Sequence, residues 1–288
     1  MIGLNMQVRR AQAQDHRQIS SLIFHEANTH RHLDWHSVLE WIGGANYWVL
    51  EENGLVTAAF ACPEEPPSVA WIRLFAHHPR FPASEVWSVL WETARADIYR
   101  SEPQTKVAAI VLKQWFQNLL VSSGFENDEN VVLLRLGELT YRSYSPPRGL
   151  RIRLMRMEDL PFVAEVDLLA FGSFWHNALD SLQRAYAHAL HATVAEDDSG
   201  VIGYQLSTGN AFGVHLARLG VKPEAQGRGV ASALVVEMVR SLGINSTRAL
   251  SVNTQSKNAA SLALYRKLGF TRTGEYFPVF VYPSRDGQ

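Results

Sequence analysis

The sequence predicts an α/β protein with α+β mixed sheets, laid out as two tandem copies of one plan. Three observations carry that expectation. Landmarks of the first half recur roughly 145 residues later, the signature of an internal repeat. Strand-like apolar runs alternate with amphipathic helical patterns in both halves. Between the halves lies Tyr141 to Gly149, where Ser143, Ser145, Pro146 and Pro147 cannot continue a strand or a helix.

In the first copy Val8 to Arg10 reads as a short strand, and Asp15 caps a helix running to about Glu26. Tyr47 to Leu50 and Leu55 to Ala61 form a hairpin around Asn53 and Gly54, residues that tolerate the positive φ such a turn needs. Val86 to Tyr99 is an amphipathic helix and Val107 to Leu112 a strand. Trp115 to Ser122 is a helix ended by Gly124 and Phe125, and Val131 to Leu136 is a closing strand. The second copy repeats the series. It has a strand at Ile152 to Leu154, a helix from Asp159 to about Ala170, and a hairpin of Ala192 to Glu196 with Val201 to Ser207 around Ser199 and Gly200. Gly213 to Val221 reads as a buried strand, Val230 to Leu242 as a helix, and Ala249 to Asn253 as a strand. Ala259 to Leu268 is a helix ended by Gly269 and Phe270, and Tyr276 to Tyr282 closes the copy. Asp15 and Asp159 are 144 residues apart, Gly54 and Gly200 146, and Phe125 and Phe270 145. The expected domains are 1–142 and 150–288, joined by a linker at 143–149.

Composition narrows the function. With 288 residues, 47% hydrophobic and 19% charged, each copy has enough apolar surface for a full core. A formal net charge of −1 gives no electrostatic reason to expect nucleic acid or an anionic membrane as partner. Cys62 is alone, which excludes an internal disulfide and suits a reducing cytoplasm. Met1 to Arg10 lacks the apolar core of a signal peptide, and no run of 18 apolar residues occurs, so a cytoplasmic location is expected. His30 and His32, and His77 and His78, have no cysteine or acidic partner at ligand spacing, so no metal is expected. The tryptophans crowded into the first half read as core and contact residues.

The chemistry centres on Leu219 to Ala231. There a strand ends, a loop carries Gly227 and Gly229, and a helix follows. Such a loop lets backbone N–H groups converge at a helix N-terminus, where unpaired donors and the helix dipole favour an anion. Glycine leaves room for a phosphate against the backbone. The sequence fits neither GxGxxG nor the P-loop, because Val230, Ala231 and Ser232 follow Gly229. It does fit Gln/Arg-x-x-Gly-x-Gly/Ala, as Gln226-Gly227-Arg228-Gly229-Val230-Ala231.

That loop, the preceding Leu219 to Pro223, Asn258, and Leu264 to Phe270 with Tyr265 together resemble the GCN5-related N-acetyltransferases (GNAT superfamily). The resemblance covers about Leu150 to Pro283 with motifs intact, and the first half only in layout. Opposite Gln226, Gly229 and Ala231 the first copy has Phe81, Ser84 and Val86, near Pro79 and Pro82; opposite Tyr265 it has Leu120. A proline-containing loop without glycine is a poor phosphate cradle, so the first copy is expected to be a degenerate domain without cofactor binding.

The resemblance implies an acetyl-CoA-dependent N-acetyltransferase acting on a primary amine of a small molecule or peptide by direct attack in a ternary complex. It implies that the amides of Gly227, Arg228, Gly229, Val230 and Ala231, with Gln226, hold the pyrophosphate. A bulge in the strand would let backbone groups of Leu219 and Val221 pair with the pantetheine arm. Asn258 would bind that arm as well, though its residue type and place also suit a helix N-cap. Tyr265 would be the general acid. His215 is a candidate base, four residues before Leu219 and therefore expected on the same strand face; ordered water is the other candidate. Phe171 and Trp175, in an expected loop between two helices, would line the acceptor site. A non-catalytic acyl-CoA sensor and a transferase of longer acyl chains remain alternatives. The protein could be a monomer with an intramolecular pseudo-dimer or a homodimer.

Overall fold

The computed structural model describes residues 6–24, 26–32, 34–137, 146–210, 213–244 and 249–283. The chain forms two compact units. Unit 1 holds the residues up to 129 and again from 277, and unit 2 holds 130–276.

Unit 1 starts with strand β1 (Met6–Arg10), a 3-10 turn at Ala13–Asp15 and helix α1 (His16–Phe24). Then come β2 (Thr29–Arg31), β3 (Tyr47–Glu52), β4 (Leu55–Ala61), β5 (Val69–Trp71) and β6 (Leu74–His77). Helix α2 (Ala83–Ser101), β7 (Lys106–Ile110), α3 (Gln114–Ser122) and the first residues of β8 (Glu126–Leu136) complete the series. Five strands lie in the order β1-β3-β4-β6-β2. The β3–β4 turn has φ of 50° at Asn53 and 81° at Gly54, the left-handed pair its sequence predicts. β5 and β6 are halves of one strand broken at Ile72 and Arg73. The Ile72 N–H donates to Ala108 O on β7, and the Arg73 N–H donates to Ala61 O on β4, both at 2.8 Å.

Unit 2 contains β9 (Arg151–Leu154), a 3-10 turn at Met157–Asp159, α4 (Leu160–Trp175), α5 (Leu179–Ala187), β10 (His191–Asp197) and β11 (Gly200–Gly209). β12 (Gly213–Val221), α6 (Val230–Ser241), β13 (Ala249–Gln255), α7 (Ala259–Leu268) and β14 (Phe270–Tyr282) follow. Its strands run β14-β8-β13-β12-β11-β10-β9, with β12 parallel to β13.

The closing strands change units. From Asn130 onward β8 pairs with β13, placing Leu133 opposite Asn253. The end of β14 pairs with β7, placing Phe280 opposite Ala109 and burying Phe280 in the unit 1 core. The compact units therefore divide inside β8 and β14 rather than at 143–149, because each closing strand pairs with an edge formed by the other copy. Of the expected linker, residues 143–145 lie outside the described residues.

An ion triad recurs in both units. Arg9 holds the Asp15 carboxylate through two bonds of 2.7 and 2.8 Å and reaches Glu51 at 2.7 Å. Arg153 holds Asp159 through bonds of the same two lengths and reaches Glu196 at 3.1 Å. Asp15 does not cap α1 as expected, and Asp159 stands at the N-cap of α4 without a side-chain bond to that helix. Each is the acidic third residue of the 3-10 turn, and its carboxylate accepts the N–H that opens the turn, from Gln12 (2.8 Å) or Arg156 (2.7 Å).

Among the described residues no helix is long and apolar enough to cross a membrane.

Candidate active site

The site is built around a defect in β12. This strand pairs with β11 along its length, but with β13 only from Gly213 opposite Ala249 to Leu216 opposite Val252. Against β11 the register skips Ala217, so that Leu216 faces Ser207 and Arg218 faces Leu206. Past this β-bulge, β12 and β13 part. β13 stays on β8 out to Gln255 opposite Val131, and residues 217–221 of β12 have one edge outside the β12–β13 ladder.

The bulge corrects one expectation. Paired residues share a face and successive residues alternate. His215, Arg218 and Gly220 sit opposite Thr208, Leu206 and Tyr204, whereas Leu216, Leu219 and Val221 sit opposite Ser207, Gln205 and Gly203. His215 and Leu219 therefore point to opposite faces. The extra residue at Ala217 shifts the period-two count that placed them together. The face of His215 is the α4 side, where Arg218 bonds to Asp167; the face of Leu219 is the α6 side, where Val221 packs with Val230 and Leu234.

His215 is half-buried, and its Nδ1 lies 2.9 Å from Ser251 Oγ on the neighbouring strand. That contact leaves Nε2 as the ring nitrogen outside the bond. Burial lowers the imidazole pKa below the ordinary 6.5, so the ring is neutral at pH 7.

β12 runs through Val221 and a short 3-10 turn into the predicted loop. Gly227 and Gly229 both have left-handed backbone, with φ of 74° and 87°. A Cβ placed on Gly227 would meet no heavy atom within 4 Å, so the loop opens onto free space and its glycine is required by conformation. Gln226 is exposed, and its Nε2 donates to Val221 O at 3.1 Å, tying the loop to the strand end. Arg228 is exposed and pairs with Asp197 at 3.0 Å. Val230 is buried and opens α6, whose first helical bond runs from Ala233 N–H to Gly229 O at 3.0 Å. The amides of Val230, Ala231 and Ser232 thus precede the helix's own ladder, at the positive end of its dipole.

On α7, Asn258 is the N-cap, its Oδ1 accepting the Ser261 N–H at 3.0 Å. Tyr265 is 4% exposed and packs among Leu216, Val252, Leu268 and Phe270, on the face of the sheet opposite His215. Burial raises its phenol pKa above the usual range, which keeps the hydroxyl protonated. Unit 1 fills the equivalent region with rings. Trp87 and Phe116 stand 145 residues before Ser232 and Ser261, and they meet edge to face at 5.5 Å with Phe75 against both.

Sequence reasoning missed a buried charged network beside the bulge. Asp167 on α4 is fully buried and accepts from Arg218 Nε (2.7 Å) and Nη2 (2.9 Å), from the Tyr204 hydroxyl, and from the Asn177 N–H (2.6 Å). Burial opposes the charge on Arg218, but Asp167 outweighs it and the guanidinium pKa is raised. Phe171 and Trp175 belong to this network. The guanidinium carbon of Arg218 lies 3.6 Å from the Phe171 ring centroid, and its Nη2 donates to Trp175 O at 2.6 Å. Both residues are on α4, which continues to Trp175 across a kink at Gly172 (φ 70°) where a loop was expected. An aspartate at position 167, inside an apolar helical run, was the available signal.

Comparison with known proteins agrees with this geometry. Residues 188–272 match the family model described as an acetyltransferase (GNAT) domain. A putative [ribosomal protein bS18]-alanine N-acetyltransferase of Bacillus subtilis (strain 168) is 28% identical over 126 residues, 43% of this chain and 82% of the relative. A mycothiol acetyltransferase of Arthrobacter sp. (strain FB24) is 43% identical over 54 residues, 19% of this chain; the match spans 17% of that relative's length. A tandem GNAT protein from the clavulanic acid biosynthesis pathway shares the fold with a TM-score of 0.60 at 16% identity, over 96% of this chain and 98% of that one. Residues 188–272 thus match the GNAT acetyltransferase domain, and the chain as a whole has the fold of a tandem GNAT protein.

Proposed function

We propose that this protein is an N-acetyltransferase that moves an acetyl group from acetyl-CoA to a primary amine of a small molecule or peptide, with the chemistry confined to unit 2. The observation that carries this reading is a coincidence of two features on one strand. β12 parts from β13 at Ala217, and it then leads directly into a loop of two left-handed glycines at the N-terminus of α6. An extended arm can lie along the freed edge while its phosphates reach the loop.

The amides of Gly227 to Ala231 would hold the pyrophosphate, with backbone groups of Leu219 and Val221 along the pantetheine arm and Asn258 near it. The thioester supplies an activated acyl carbon. His215 and Tyr265 flank the parted strands from opposite faces, which separates base from acid. His215 Nε2 takes the proton of the attacking amine on the α4 side, where Phe171 and Trp175 border the acceptor. The carbon–nitrogen bond forms as the carbon–sulfur bond breaks, and the Tyr265 hydroxyl gives its proton to the departing sulfur. Unit 1 has aromatic rings where unit 2 has serines, and we assign it no cofactor.

Incubation with acetyl-CoA and a broad panel of primary amines tests this reading through release of free thiol. Amine-dependent thiol above background is expected. Binding of acetyl-CoA without thiol release across the panel would make the protein a sensor instead.

A further inference from the structure

The duplication supplies an internal control for the Asp167–Arg218–Tyr204 network. Asp15 and Asp159, Ile19 and Val163, and Leu22 and Val166 correspond at 144 residues, which sets Ile23 opposite Asp167. Ala61 and Leu206 correspond at 145 residues; Ala61 pairs with Leu74 and Leu206 with Arg218, so Leu74 stands where Arg218 does. By the same offsets Ala59 stands for Tyr204 and Ala76 for Gly220. Ile23, Ala59, Leu74 and Ala76 all belong to one apolar cluster of unit 1. At these four positions unit 1 has aliphatic side chains and unit 2 a buried ion pair; the buried pair of unit 1, Arg73 with Asp34 at 2.8 Å, sits one residue earlier, at the strand break.

Burying an arginine and an aspartate gains no stability over such a cluster, and its best-attested use is to fix register. Register is what matters at this place. Arg218 is the first residue past the bulge and the neighbour of Leu219. If Ala217 slipped into the ladder and abolished the bulge, every side chain from 217 to 221 would change faces. Arg218 would then be driven among Val235, Val239 and Leu216, away from each of its acceptors.

We propose that the Asp167–Arg218–Tyr204 network is a positioning device that locks the β12 bulge and so keeps the edge of residues 217–221 parted from β13. The proposal rests on reading that edge as the seat of the acyl donor, and Arg218 is a positioning residue rather than a catalytic one.

The test is the triple variant Asp167→Ile, Arg218→Leu, Tyr204→Phe in the full chain, beside Arg218→Lys, which keeps a charge on the α4 side. Backbone amide exchange across 217–221 is measured without any acyl donor, and acetyl-CoA kcat and KM separately. The triple variant is expected to melt no lower than the parent, to change exchange at these amides at least about tenfold as the edge re-pairs, and to lose roughly 100-fold in kcat/KM. Arg218→Lys is expected to keep the parent exchange pattern. A folded triple variant with parent exchange and parent kinetics would overturn the proposal, as would an Arg218→Lys protein that exchanges like the triple variant. Changed exchange with no acetyl-CoA turnover in the parent would uphold the register lock and reject the enzymatic reading.

Discussion

His215 and Leu219 lie four residues apart on one strand and face opposite sides of the sheet, because the bulge at Ala217 adds a residue between them. The candidate base is thereby separated from the side chains of Leu219 and Val221. It sits on the α4 face, bonded through Nδ1 to Ser251 at 2.9 Å. Only the neutral imidazole can accept a proton, and burial lowers its pKa. Activity should therefore fall as pH drops through a midpoint below 6.5 and be level above it. In a kcat/KM profile, His215→Gln should remove this limb and lower the plateau about 10²-fold. An unchanged limb in the variant would assign the proton to another group.

Tyr265→Phe removes one oxygen from a buried ring that packs on Phe270 at 5.4 Å. The packing should survive, so Tm should stay close to the parent. Turnover should fall about 10²-fold with donor affinity nearly unchanged, as expected for an interaction made only in the transition state. Loss of affinity in place of turnover would make the tyrosine structural.

His30 in unit 1 stacks on Phe116 at 3.8 Å, and burial pushes its pKa down to about 3. The folded chain keeps this ring neutral while the unfolded chain takes up a proton near pH 6.5. Stability is therefore full above that pH and declines as pH falls toward 3. By linkage, His30 alone should cost about 2 kcal/mol between pH 7 and pH 5. Urea titrations of the parent and of His30→Phe at these two pH values would check it. An equal pH dependence in both proteins would contradict the assignment.

The two ion triads should behave as copies. Asp15 and Asp159 each have a pKa held low, first by the hydrogen bonds from Arg9 or Arg153. Their contribution is present above the unfolded carboxyl pKa, near 3.8, and is lost as pH falls through the lower folded value. Asp159→Asn and Asp15→Asn should each destabilise by about 2 kcal/mol at neutral pH, with the difference from the parent closing in acid. A negligible effect at Asp15 alone would show that only unit 2 relies on the triad.

Most elements were legible in the sequence because local signals agreed with tertiary packing. Asn53 and Gly54 mark a turn that needs positive φ at both positions, and Gly269, at φ 97°, ends α7 as its place before Phe270 predicts. The loop of Gly227 and Gly229 before α6 was legible for the same reason. Strand exchange was not, because strand patterning in 131–136 and 276–282 records burial and does not name a partner. The face of His215 was misread because a bulge leaves no mark in a strand-like run such as Val214 to Val221. The Asp167–Arg218 pair escaped because its two members are 51 residues apart and meet only once α4 lies across β12.

Binding of the donor diphosphate by the main-chain loop at the start of α6 is open to calorimetric titration of the full chain with acetyl-CoA. Gly229 holds φ of 87°, so Gly229→Glu strains the loop and places a carboxylate where the phosphates would lie. Saturable heat with a stoichiometry of one is expected for the parent and none for Gly229→Glu. Absence of heat from the parent, or undiminished binding by the variant, would contradict it.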